Sequence, residues 1–217
     1  MIFLFDDNTS VDDVLDEIEA YTESGHPAAL LYDALLTNEF EAHGANNAID
    51  NCINWLHSTD FYNAPASTVY HNHFQGGLLQ HSLDVMKQII DLKRCEKFSK
   101  VSIHSAILVA LVHDWCKIGL YESYLKNVKD DVTGVWHQEL AYKHKATPLT
   151  CFGHGVSSMY LVEQFIHLSI DEMLAIRWHM GEYNVANNEM NDLHQANETY
   201  PLVQMLQFAD RLSITKY

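Results

Sequence analysis

No part of this sequence stays apolar for long. The longest uninterrupted run is Ala106–Val112, far short of the ~20 residues a helix needs to cross a bilayer, so a membrane span is not expected. The opening stretch MIFLFDDNTS has no basic residue before its apolar start and acids directly after it, a poor match to a secretory leader. The expected location is the cytoplasm. Paired cysteines are missing as well. Cys52, Cys95, Cys116 and Cys151 are scattered, without a CxxC, which argues against a disulfide framework and makes free buried thiols the default. Positive charge is scarce: 13 Lys+Arg face 29 Asp+Glu, a formal net charge of −16. Such a surface repels polyanions at long range. Long nucleic acid is a disfavoured partner, whereas a small anionic substrate stays open if cationic groups gather in a pocket.

What is present is ordinary globular composition, 47% hydrophobic and 11% aromatic over 217 residues, enough for one domain, 1–217, with a substantial core. The apolar spacing is mostly helical. Ser10 with Asp13 resembles a capping box ahead of Val11, Val14, Leu15 and Ile18. Further helices are expected over 27–40, opened by Pro27, over 46–58, and over 76–94. The segment 101–115 is apolar almost all round, which predicts a central helix surrounded by others. Residues 121–150 break the pattern and read as two short polar strands around a turn at Asp131–Gly134. Helices resume at 155–168. Ser169 and Glu172 form a second capping box, and Pro201 opens the last helix. The expected fold is all-α with a small β-hairpin insertion near 121–150.

Fourteen histidines pose the functional question. One histidine on an apolar face is ordinarily a satisfied core residue; the signal here is where several fall. His81 lines up with Leu78 and Val85. In LVALVHDWCKIG (108–119) the most apolar helix runs straight into His113–Asp114. His154 opens a helix after CFG, His179 ends LAIRWHM, and Asp210 sits inside LQFADRL. Burying Asp114 and Asp210 without partners is costly. Lys117 and Arg211 are close in sequence, but no pattern supplies ion pairs for both. Divalent metal ions resolve the whole set. Imidazole and carboxylate together suit Mn, Fe, Co, Ni or Zn, while Mg prefers an oxygen-rich shell. Adjacent helical residues point ~100° apart, so His113 and Asp114 can flank one ion, or Asp114 can set its two oxygens between two.

The order His81, His113–Asp114, Asp210, within GGLLQHSLDV, VHDWCKIG and FADRLS, resembles the HD superfamily of metal-dependent phosphohydrolases. The resemblance covers roughly residues 65–214 and includes Lys117, three positions after Asp114. Trp115 and Cys116 depart from the usual His-Asp-Leu/Ile-Gly-Lys form and leave the ligands and the lysine in place. It implies an HD-domain helical bundle, with residues 1–64 supplying N-terminal helices against a 65–214 core. It also implies one ion on His81, His113, Asp114 and Asp210. As in dinuclear members, a second would sit on Asp114, His154 and His179, with Asp114 shared. The implied reaction is hydrolysis of a nucleotide or other small phosphoester by metal-activated water, with Asp114 catalytic through the ions and Lys117 contacting the phosphate. Two divalent ions would make the pocket locally positive despite the acidic surface.

Other candidate substrate contacts are His71, which with Tyr70 and His73 precedes the first ligand; Arg177, two residues before His179; and Lys143 and Lys145, on a hairpin placed to act as a lid. Each has a plain alternative: loop packing, an ion pair on its own helix, a solvated hairpin tip, or, for Lys117, a surface lysine. His26, His43, His57, His104, His137, His167 and His194 have no such context. The chain looks similar to stand-alone bacterial and phage-type HD proteins. It also resembles the HD part of certain 3′–5′ exoribonucleases, although nothing before residue 65 reads as their β-barrel module. The same ligand order resembles mixed-valent di-iron oxygenases of the superfamily. A third reading is a metal-binding regulatory protein without catalysis. Monomer and dimer remain equally open.

Overall fold

The computed structural model describes residue 3 and residues 5–214. Residues 1, 2 and 4, part of the apolar N-terminal start weighed above as a leader, lie outside the described residues, as do residues 215–217 and the side chain of Asn184. The described residues form nine α-helices and one two-stranded antiparallel sheet. The chain runs through α1 (Val11–Glu23), α2 (Ala28–Ala42), α3 (Ile49–Ser58), α4 (Gly77–Leu92) and α5 (Ile103–Val112) into the hairpin β1 (Tyr121–Lys129) and β2 (Trp136–His144). It then returns through α6 (His154–Val162), α7 (Ile170–Trp178), α8 (Met190–Thr199) and α9 (Pro201–Ile214). The expected mostly-α architecture with a hairpin is what the chain adopts. No helix of the described residues is long and apolar enough to cross a membrane.

Helix α5 is the axis. Ile103 and the whole run Ala106–Val112 are buried, because α2, α4, α7 and α9 pack around it, as its all-round apolarity requires. A single apolar cluster reaches from Phe3 and Phe5 through α5 to Ala209. The caps act where their sequences place them. The Ser10 hydroxyl accepts the Asp13 N–H at 3.1 Å, and Ser169 with Glu172 forms the complete reciprocal box.

The structure departs from expectation at several points. The central helix stops at Val112 rather than 115. The Leu111 carbonyl there accepts from the Tyr32 hydroxyl at 2.9 Å, and that hydroxyl in turn accepts from the Trp115 indole at 2.9 Å. A carbonyl released by the helix end is thereby satisfied from another helix, and the chain turns into a 3₁₀ segment, Trp115–Lys117. The helix expected over 155–168 spans His154–Val162. Helix α8 has no clear apolar period in its sequence and buries only Leu193 and Ala196.

The hairpin pairs Tyr121 with His144 through to Lys129 with Trp136. Its turn is closed by the Asp130 carboxylate, which accepts the N–H groups of Val132 at 3.0 Å and Thr133 at 2.6 Å. The strands are nine residues each and mostly exposed, so the hairpin projects from the bundle rather than forming part of its core.

Candidate metal centre

Six side chains meet where five helices end or pass. His81 comes from the second turn of α4 and Asp210 from α9; His113 caps α5 and Asp114 follows it; His154 is the first residue of α6; His179 caps α7. Two glycines permit the approach. A Cβ on Gly155 would stand 2.3 Å from the Arg177 carbonyl oxygen, so only glycine lets the start of α6 rest on the end of α7. A Cβ on Gly77 would stand 1.9 Å from the Asn72 carbonyl oxygen, and its absence lets the loop carrying His71 close over α4.

Asp114 is the hub. Its Oδ2 lies 2.5 Å from Lys117 Nζ, 3.3 Å from His81 Nε2 and 3.5 Å from His113 Nε2. Its Oδ1 lies 2.8 Å from His154 Nε2 and 3.6 Å from His179 Nε2. His81 Nε2 is also 3.2 Å from Asp210 Oδ1. Backbone contacts set the ring orientations: Nδ1–H of His113 donates to the Ala110 carbonyl at 2.8 Å and Nδ1–H of His179 to the Ile176 carbonyl at 2.7 Å. Both Nε2 atoms therefore face inward as lone pairs in the neutral rings.

Burial and charge set the protonation. Burial pushes His113 down to about 3 and also lowers His154. It opposes ionisation of Asp114, yet the Lys117 ammonium, His113 and the hydrogen bond with His154 outweigh it and hold the carboxyl well below its ordinary value. Asp210 is held low in the same way, burial being outweighed mainly by His81. His81 is raised, because Asp114 and Asp210 favour its proton more than burial opposes it.

The donors suit a divalent metal ion. Three sets bring their ligand atoms within 4.8 Å of one another: His81, His113 and Asp114; His113, His179 and Asp210; and Asp114, Cys116 and His154. His179 Nε2 is buried and has no hydrogen-bond partner among the described residues, and a buried orphan acceptor demands an explanation. Imidazoles together with anionic carboxylates match borderline transition ions.

Lys117, weighed at first as a phosphate contact or a surface lysine, is buried and pairs directly with Asp114. Asp114 thus does have a cationic partner in its own turn. The His71 ring lies 4.7 Å from that of His81, with its Nε2 buried and unpartnered among the described residues; burial, then the charges of His81 and Lys117, push it down to about 4. His73 is exposed and bonds the Tyr70 carbonyl at 2.8 Å. Arg177 pairs with Glu189 at 2.8 Å and lies over the Trp178 ring. It also lines, with His154 and Glu189, a cavity of about 240 Å³ beside the donors. Lys143 pairs with Glu122 at 3.0 Å on the hairpin and Lys145 with Asp60 at 3.4 Å; neither contact joins the donor cluster.

Two features escaped sequence reasoning. His43 and His104 hold buried glutamates, His43 on Glu172 at 2.9 Å and His104 on Glu39 at 2.9 Å; in the sequence Glu172 reads only as a capping residue, and the signal for Glu39 is a glutamate within an apolar helix. Cys116, noted only as a departure from the family pattern, places its Sγ 3.4 Å from His154 Nδ1.

No protein-family model matches the chain, and no curated protein or solved structure matches it either.

Proposed function

We propose that this chain is a cytoplasmic HD-type phosphohydrolase with two divalent ions, acting on a nucleotide or other small phosphoester, as its ligand order implies. The observation that carries the reading is Asp114, whose two oxygens face two different imidazole pairs while His179 Nε2 stands without a partner. On this reading His81, His113, Asp114 and Asp210 hold one ion, and Asp114, His154 and His179 the other. When bound, such ions polarise phosphoryl oxygens and lower the pKa of water.

The side chains do the rest. His113 and His179, locked by backbone carbonyls, present fixed lone pairs. Lys117 keeps Asp114 ionised and adds a positive charge at the floor of the site. His71, neutral near pH 7, presents an unpartnered ring nitrogen to a substrate group above His81. The cavity beside His154 and Arg177 takes a further part of the substrate, with Arg177 exchanging Glu189 for a phosphate oxygen. Lys143 and Lys145 would join only if the hairpin closed over the site.

The deciding experiment is hydrolysis of a panel of nucleotides and a generic phosphodiester with Mn²⁺ added. Wild type is expected to turn over at least one substrate, and Asp114→Ala to lose that activity by on the order of 10³-fold or more. Equal activity in the variant would overturn the reading. A metal-loaded wild type that hydrolyses nothing but consumes dioxygen with iron bound would replace it with the di-iron oxygenase reading; bound metal without either reaction would point to the regulatory role.

A further inference from the structure

Each histidine at the centre meets something at its outer nitrogen. His113 Nδ1 donates to the Ala110 carbonyl, His179 Nδ1 to the Ile176 carbonyl, and His81 Nδ1 lies 3.4 Å from Ser213 Oγ. For His154 the partner is a sulfur: Cys116 Sγ stands 3.4 Å from Nδ1, while the opposite ring nitrogen, Nε2, meets Asp114 Oδ1 at 2.8 Å. His154 needs such a partner more than the others. It is the first residue of α6, so it has no preceding helical turn whose carbonyl its Nδ1 can reach, the arrangement that serves His113 and His179 at the ends of their helices.

Cys116 is itself fixed from α6. Its backbone N–H donates to Ser158 Oγ at 3.0 Å, and the residue is buried. The 3₁₀ turn that carries Asp114 and Cys116 and the helix that carries His154 are thus joined at two points, one backbone bond and one sulfur contact.

We propose that Cys116 is the positioning residue of the second metal position. With an ion on Nε2, its sulfur accepts the Nδ1–H of His154, whereas in the empty site Nε2–H meets Asp114 and the thiol S–H meets Nδ1; in both states the sulfur fixes the ring angle, and so it sets the affinity of the ion held by Asp114, His154 and His179 without itself touching that ion. Outer partners of this kind typically change metal affinity 10–100-fold. The proposal rests on the dinuclear reading above and adds to it a division of labour: the first position depends on the carbonyl-locked and serine-backed rings, the second on a thiol.

The test loads the full-length chain with Co²⁺, counts bound cobalt per chain against free cobalt, and records the absorption spectrum. Wild type is expected to bind two ions without a sulfur-to-cobalt charge-transfer band. Cys116→Val fills a similar volume but accepts no hydrogen bond; it should weaken the second ion 10–100-fold and leave the first unchanged. Cys116→Ser, whose hydroxyl can accept from Nδ1–H, should recover most of the loss. Circular dichroism and melting of the metal-free variants establish that each is folded. A variant that does not fold is replaced by Cys116→Ala in the same comparison.

Equal affinity of Cys116→Val and wild type for both ions would overturn the proposal. So would a loss that serine fails to restore, which would make the sulfur a packing atom. A charge-transfer band present in wild type and absent from Cys116→Ser would overturn it by making the sulfur a ligand. Each of these leaves the dinuclear reading standing. Failure of the wild type to bind any cobalt would remove both.

Discussion

Asp114 and Lys117 form a buried pair, 2% and 7% exposed, joined at 2.5 Å. Removing one partner of such a pair leaves a charge without compensation, at a cost of about 3–5 kcal/mol. Lys117→Met is therefore expected to destabilise the metal-free protein by about that much. With a divalent ion bound the deficit should shrink, because the ion compensates the same carboxylate. Urea unfolding with and without Mn²⁺ measures both; equal destabilisation in the two conditions would show that the ion does not sit against Asp114. At this scale the sequence made the donors legible, since His113–Asp114 and Asp210 stand in apolar runs where polar groups need a reason. It did not reveal that Lys117 turns inward, because a lysine three residues after an aspartate is equally compatible with the surface.

Between elements, contact geometry rather than composition decides. Gly155 is the point where α6 meets the end of α7. Gly155→Ala must push the two apart, and overpacking of this kind costs about 1–3 kcal/mol. The variant should lose affinity for the ion at His154 while retaining the ion at His81, as metal counting can show. Two helix junctions away, Glu172 joins α7 to α2 through His43 and to α5 through Ser105 at 2.6 Å. Burial opposes its ionisation, but His43, Ser105 and Ser169 prevail and hold it at about 2 against an ordinary 4.5. A carboxyl depressed in the folded state stabilises fully above about pH 4.5 and loses that contribution as pH falls towards 2. Glu172→Gln is thus expected to lower stability by on the order of 2 kcal/mol near pH 6, with the gap to wild type narrowing in acid. Parallel melting curves from pH 6 to pH 3 would contradict this. His104 and His43 are raised, His104 chiefly by its hydrogen bond to Glu39, and His43 because its bonds to Glu172 and the Glu39 carbonyl exceed the cost of burial. Their contribution is present below about pH 6.5 and is lost as pH rises through their folded values.

For the molecule as a whole, the centre ties α4, α5, α6, α7 and α9 together, so an ion that binds only the folded chain stabilises all of it. At a free concentration of about 100 times Kd the gain is about 2.7 kcal/mol, which for a chain of this size corresponds to a rise in Tm of about 5–10 °C. The expected result is such a rise on adding Mn²⁺ or Zn²⁺, its reversal by a chelator, and no rise in Asp114→Ala. An unchanged Tm in a wild type shown to carry the ion would mean that the site persists in the unfolded chain.

The sequence by itself determined what its local periods can encode: a mostly helical chain, the central place of the segment ending at Val112, the two capped helix starts, the hairpin, and the order of six candidate ligands. It left α8 unseen, since a polar helix held by two buried side chains has no apolar period to betray it. The family resemblance implies His81 and Asp210 in one site with Asp114 shared; only the tertiary structure decided which histidine lies at which Asp114 oxygen, that Lys117 turns in to pair with it, and that Cys116 stands behind His154. The reason is physical. Periodicity records how each helix meets water and core, whereas the meeting of helix ends depends on how whole helices pack, and small features such as Gly77 and Gly155 matter only once that packing exists.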